Sequence, residues 1–176
     1  MMKINFKKKE GFTLMEVLAY ISVLVVIISC VISLLFWAVG SASKSKALRE
    51  VSDNSRRAFE VMDYEIRAAR SVYTPTTNST QLSLETTEYL PEGEKSSYLD
   101  FYVSDDVLYM KKESHDPIPL TSDNVEIKKI FFSQISTTST VPSIQVGLEI
   151  SYKNPSNRPE YSAAIQATST FSFRNY

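Results

Sequence analysis

The chain is poor in the residues that build compact catalytic and metal sites. Its 176 residues include one cysteine, one histidine, one tryptophan and four glycines. The lone Cys30 excludes an intramolecular disulfide, so cysteine usage does not report a redox compartment. His115 and Cys30 cannot by themselves assemble a zinc site of the His/Cys type. So few glycines argue against the Gly-rich loops that cradle phosphates, and no serine stands in a G-x-S-x-G context. No nucleophile–base pair is legible, so neither enzymatic activity nor a cofactor is expected. The net charge of −1 gives no whole-chain argument for nucleic-acid binding.

Charge is also missing locally. Lys3, Lys7, Lys8 and Lys9 crowd the start of the chain, and after them only Glu16 is charged until Lys44, Glu10 aside. Residues 12–39 are almost continuously apolar. As a helix they would extend about 42 Å, enough to cross a hydrocarbon core of ~30 Å. A helix is the only open structure that can cross, because lipid offers the backbone no hydrogen-bond partners. The lysine cluster predicts a cytoplasmic N-terminus and export of everything after Lys44, hence a single pass through the cytoplasmic (inner) membrane. A secretory signal peptide has a shorter apolar core followed by a small-residue cleavage site, and neither is present. A plain anchor is the simplest reading, but Glu16 disturbs it. A carboxylate at the bilayer centre costs roughly 2.5–3.5 kcal/mol, less near the edge. No Lys or Arg within the run can pair with it, so a partner outside the segment is needed.

The segment Lys9-Glu10-Gly11-Phe12-Thr13-Leu14-Met15-Glu16-Val17-Leu18 resembles the cleavage and methylation signature of type IV prepilins and type II secretion pseudopilins. It matches in the basic leader, the Gly before the cut, the Phe after it and the Glu at the fifth mature position. The resemblance implies removal of a leader, residues 1–11, by a membrane-embedded aspartyl prepilin peptidase. The cut would fall between Gly11 and Phe12, and Phe12 would be N-methylated. It also implies that Glu16 pairs with the Phe12 amine of a neighbouring subunit during filament assembly. Such pairing would neutralise the buried acid and set register, because a misplaced subunit leaves it unpaired. Implied partners are the peptidase, other pilins or pseudopilins, an inner-membrane assembly platform and, before assembly, membrane lipid. The filament would be extracytoplasmic.

Residues 12–40 are therefore expected to form the transmembrane or filament-core helix, and residues 41–74 an amphipathic continuation. Leu48, Val51, Ala58, Met62, Ile66, Ala69 and Val72 recur at three- and four-residue steps, and no proline occurs from Phe12 through Thr74. Residues 40–43, Gly-Ser-Ala-Ser, are weak helix formers where a bend or local melting is plausible on sequence alone. The stretch 57–70 resembles the corresponding helix of J-type minor pseudopilins and W-type minor pilins. Residues 75–176 alternate as strands over 81–85, 98–103, 107–111, 125–134, 143–152 and 164–173, with Ser104-Asp105-Asp106 as a hairpin turn. Their buried face is expected to cover the helical stripe, giving an α+β fold with a pilin-like antiparallel sheet. Leu108-Tyr109-Met110, Pro119-Leu120-Thr121-Ser122 and Val125 also resemble the middle of J-type pseudopilins.

Other polar residues carry weaker signals. His115 sits in a loop-like run and reads as solvated. Asp100, Asp105, Asp106, Asp116 and Asp123 could offer oxygen ligands to calcium, but their spacing is not diagnostic and turn aspartates have local reasons to be present. The pairs Lys111-Lys112 and Lys128-Lys129 could mark a nucleic-acid patch; in a near-neutral chain a solvated face is the default. The leading expectation is a minor pilin or pseudopilin serving secretion, DNA uptake or motility. The alternative is an unprocessed, single-pass anchored binding or sensing domain.

Overall fold

The computed structural model describes residues 11–88, 90, 92–135 and 142–174. The lysine cluster and all of the expected leader except Gly11 lie outside the described residues. The chain divides into two compact units at Ala42/Ser43, and one helix, α1 (Leu14–Ala68), runs through the division.

In the first unit the α1 side chains are exposed almost throughout. Its few hydroxyls turn back onto the helix. Ser22 Oγ donates to the Ala19 carbonyl (2.8 Å), Ser29 Oγ to Val25 (2.8 Å) and Ser33 Oγ to Ser29 (2.9 Å). This back-bonding satisfies each donor within the helix, as an apolar surrounding requires. Residues 40–43 are helical, without local melting. A few weak formers, each costing no more than about 1 kcal/mol, do not interrupt a helix that is favourable on both sides.

In the second unit α1 buries one stripe: Ala47, Val51, Ala58, Met62 and Ile66, with Asn54, Ser55 and Glu65 among them. Leu48, expected in this stripe, is 41% exposed, and the smaller Ala47 takes the inward position. The helix also stops earlier than its apolar pattern suggests. The Ala69 amide closes the last turn on Glu65 (2.9 Å), and the Arg70 amide leaves the helix for the Glu85 carbonyl (2.8 Å). Ser71–Val72 then forms a strand, β1, so residues 69–74 are not helical. Val72 and Tyr73 favour extended structure, and a strand partner was available in space that no local pattern announces.

The fold is α+β, with the strands divided between two antiparallel sheets. The first contains β1, β2 (Leu82–Thr86), β3 (Ser97–Ser104), β4 (Val107–Lys112) and β5 (Ile118–Pro119) in sequential order. The second contains β6 (Val125–Ile135), β7 (Ser143–Tyr152) and β8 (Ala164–Ser172), also in order. The β3–β4 hairpin turns on Asp105 (φ 49°) and Asp106 (φ 62°), with Ser104 opposite Val107. Two successive positive φ values fit the right-handed twist of the flanking strands, and aspartate is among the residues that tolerate them. β5 ends in proline, which cannot extend a hydrogen-bonded ladder. The sheets are stitched together by the Ile127 amide on the Asp106 carbonyl (2.8 Å) and the Phe132 amide on the Ser79 carbonyl (3.0 Å). Ile127 lies where β6 slips register against β7, between Ile127 and Lys129.

One core joins the α1 stripe to both sheets, including Leu84, Leu99 and Phe101 from the first and Ile144, Val146 and Leu148 from the second. Specific contacts fix the helix to each. Glu65 bridges to Lys112 of β4 (3.2 Å), with the two side chains only 7% and 16% exposed. Phe59 packs on Phe171 of β8 at 6.2 Å between ring centroids. Asn54 Oδ1 accepts the Ser122 amide (2.8 Å), while its Nδ2 donates to the Glu50 carbonyl (2.8 Å). On β7, Gly147 stands opposite Phe131, whose ring lies where a Cβ would be.

Two stability outcomes follow, both checked by denaturant unfolding of the full chain in mild detergent. Gly147→Ala displaces the Phe131 ring and is expected to cost about 1–3 kcal/mol. The same change is expected to cost little in a Phe131→Ala background. Lys112→Met leaves Glu65 buried without its cation and is expected to cost about 2–3 kcal/mol, below the fully buried range because Lys112 keeps some solvent. A Glu65→Leu/Lys112→Met double variant is expected to recover most of that loss.

Candidate functional site at the start of the helix

Gly11 and Phe12 precede the first helical turn in non-helical conformation. Nothing lies within 4 Å of the position a Gly11 Cβ would take, and Phe12 is 75% exposed. The bond between them is therefore clear of the described part of its own chain.

Thr13 starts the helix. Its Oγ1 accepts the Glu16 amide (3.3 Å), and its carbonyl accepts the amides of Glu16 (3.1 Å) and Val17 (3.2 Å). Thr13 is thus the N-cap and Glu16 the third helical residue, the spacing of a capping box. A carboxylate in the first turn also faces the positive end of the helix dipole, an arrangement typically worth 0.3–1 kcal/mol. The Glu16 carboxylate accepts a hydrogen bond from Tyr20 Oη (3.3 Å), one turn on. The Tyr20 ring in turn meets Phe12 edge-to-face, with centroids 6.3 Å apart and planes at 77°. Phe12, Glu16 and Tyr20 therefore share one helical side at four-residue steps. Glu16 is half-buried while almost every neighbour in the segment is exposed. Sequence reasoning singled out Gly11, Phe12 and Glu16 but missed Thr13 as cap and Tyr20 as hydrogen-bond donor. The signals were the T-x-x-E spacing and the tyrosine four residues after the acid.

The other candidates disperse. His115 is exposed and its Nδ1 lies 3.0 Å from the Glu113 carbonyl. Among the described residues no group of three or more His, Cys, Asp or Glu side chains is placed to hold a metal ion. Asp105 and Asp106 form the hairpin turn, and Asp100 lies in β3 opposite Lys111. The two lysine pairs do not form a basic patch. Neighbouring residues of a strand face opposite ways, so Lys111 and Lys112 point apart. Lys112 is committed to Glu65, Lys128 to Glu126 (2.7 Å), and Lys129 is registered opposite Glu149. The hydrogen bond from Lys128 holds the Glu126 carboxyl below its ordinary range.

The fold and this segment define a chain whose N-terminal helix is long and apolar enough to cross a membrane and continues into an antiparallel α+β unit. No family model, curated protein or solved structure matches it.

Loss of the cap should be felt locally. Thr13→Ala is expected to weaken the first turn by about 1 kcal/mol. Amide hydrogen exchange in detergent micelles should show faster exchange at Glu16 and Val17, with the rates beyond Ile21 unchanged.

Proposed function

We propose that this chain is a minor pilin or pseudopilin, a structural subunit that joins a type IV pilus-like filament. Prepilin peptidase removes residues 1–11, and the freed Phe12 amine is methylated. The observation that carries this reading is the conjunction of Gly11-Phe12 at an unobstructed helix start with a single carboxylate, Glu16, in an otherwise apolar segment whose side chains are exposed almost throughout. In a filament, neighbouring helices cover the apolar surface, and the Phe12 amine of an adjoining subunit supplies the cation for Glu16. A minor subunit is favoured by the segments that resemble J-type pseudopilins. Their residues Leu108, Met110, Leu120, Thr121 and Val125 are all buried, which is the placement a shared core requires.

The Thr13–Glu16 cap favours a second reading. It gives Glu16 a local role that needs no neighbour, as in an unprocessed single-pass anchored binding or sensing domain. N-terminal mass analysis of the protein from its native cell separates the two. A chain beginning at methylated Phe12 is expected; one that keeps Met1 while working normally would overturn the filament reading. Glu16→Val is expected to insert and be cleaved but to enter filaments poorly, measured as the ratio of filament-associated to membrane-associated protein. Undiminished incorporation would remove the register role.

A further inference from the structure

A cleft of about 410 Å³ opens in the second unit between the start of its helical segment and the loop after β7. Ser43, Lys46 and Ala47 form one wall, and Tyr152, Lys153 and Tyr161 face them. The two tyrosine rings stack at 6.0 Å with planes 21° apart. The loop between them is fixed by Asn154, whose Oδ1 accepts the Arg158 amide (3.0 Å) and whose Nδ2 donates to the Arg158 carbonyl (2.8 Å).

The charge arrangement is unlike that of the lysines in β4 and β6. Lys111, Lys112, Lys128 and Lys129 each have an acid as salt-bridge partner or cross-strand neighbour. Lys46 and Lys153 line one cleft, and neither forms an ion pair among the described residues. The acids nearest in sequence, Glu50 four residues after Lys46 and Glu149 four residues before Lys153, do not line it; Glu50 accepts hydrogen bonds from Ser122 and Asn124, Glu149 is registered opposite Lys129, and Glu126 is bonded to Lys128. Two lysines that line one cavity carry like charges, and an anion between them would relieve their repulsion. Tyrosine beside such a cavity offers an apolar ring and a polar tip, the combination suited to a membrane–water boundary. Lys46 follows the last residue of the apolar run, Val39, by seven residues in the same helix.

We propose that this cleft holds the phosphate of an anionic phospholipid headgroup, with Lys46 and Lys153 on the phosphate and Tyr152 and Tyr161 at the edge of the acyl region. The proposal rests on the membrane anchoring that both functional readings share. A free phosphate offers the same chemistry; a lipid is the source that a membrane anchor in the same chain would supply.

The test uses the full chain reconstituted in vesicles of phosphatidylcholine alone or with phosphatidylglycerol added. Insertion is verified by resistance to alkaline extraction, and lysine acylation rates are read by mass spectrometry. Lys44, which does not line the cleft, reports the general effect of a negative surface. With phosphatidylglycerol, Lys46 and Lys153 are expected to react roughly five-fold more slowly than the change at Lys44 accounts for. In a Lys153→Gln variant the protection of Lys46 is expected to fall. Equal slowing at Lys44, or none at any site, overturns the proposal. Equal protection by inorganic phosphate in phosphatidylcholine vesicles overturns the lipid assignment and gives the cleft to free phosphate. A chain extracted by alkali has lost the anchor, which sinks both the proposal and the readings beneath it; insertion with unprotected lysines sinks the proposal alone.

Discussion

The apolar surface of residues 14–39 is the constraint on which the rest depends. The α1 backbone satisfies its own hydrogen bonds and the serines in this stretch satisfy theirs, so neither calls for water there. Its leucines, isoleucines and valines are nonetheless exposed. Burying each fully is worth about 1.5–3 kcal/mol, so water is a poor resting place for the segment. Lipid or the helices of other subunits can take them, and both coverings accept the same surface.

The second unit answers a different demand. Its part of α1 carries a stripe narrow enough to be covered by its own chain, and the two sheets supply that cover. Small residues, Ala47, Ser55 and Ala58, let the helix come close, while Met62 and Ile66 fill the space between. Hydrophobic contact alone is non-directional. The Glu65–Lys112 bridge and the Asn54–Ser122 hydrogen bond add direction, because each leaves a buried polar group unpaired if the helix slides or rotates. The hydrogen bonds from Ile127 and Phe132 play the same part between the sheets, occupying backbone groups that an edge strand would otherwise expose.

Glu16 illustrates how one side chain can answer to two causes. Within its own helix it stands in the first turn, where the dipole favours a negative charge, and it accepts a hydrogen bond from Tyr20. Neither contact brings the cation that full burial in lipid or in a helical bundle demands. The capping geometry explains why an acid is tolerated at this position. The supply of a positive charge from outside the segment explains why it would be retained there, and that supply is the content of the filament reading.

The uninterrupted apolar run, the lone acid behind Gly11-Phe12 and the alternation of β2, β3, β4, β6, β7 and β8 are local patterns, and they were legible because periodicity and charge are carried by neighbouring residues. The hairpin at Asp105-Asp106 belongs with them, since its turn chemistry lies within two residues. What the tertiary structure decided depends on residues far apart in the chain. Ala47 rather than Leu48 faces the core because the helix is rotated by its partners; the helix stops at Ala68 because residues 71–72 find Leu84 and Glu85; the strands divide in two because Pro119 ends one ladder; and Lys46 meets Lys153 across more than a hundred residues. None of these has a period or a motif, because each is a meeting in space that a linear pattern does not encode.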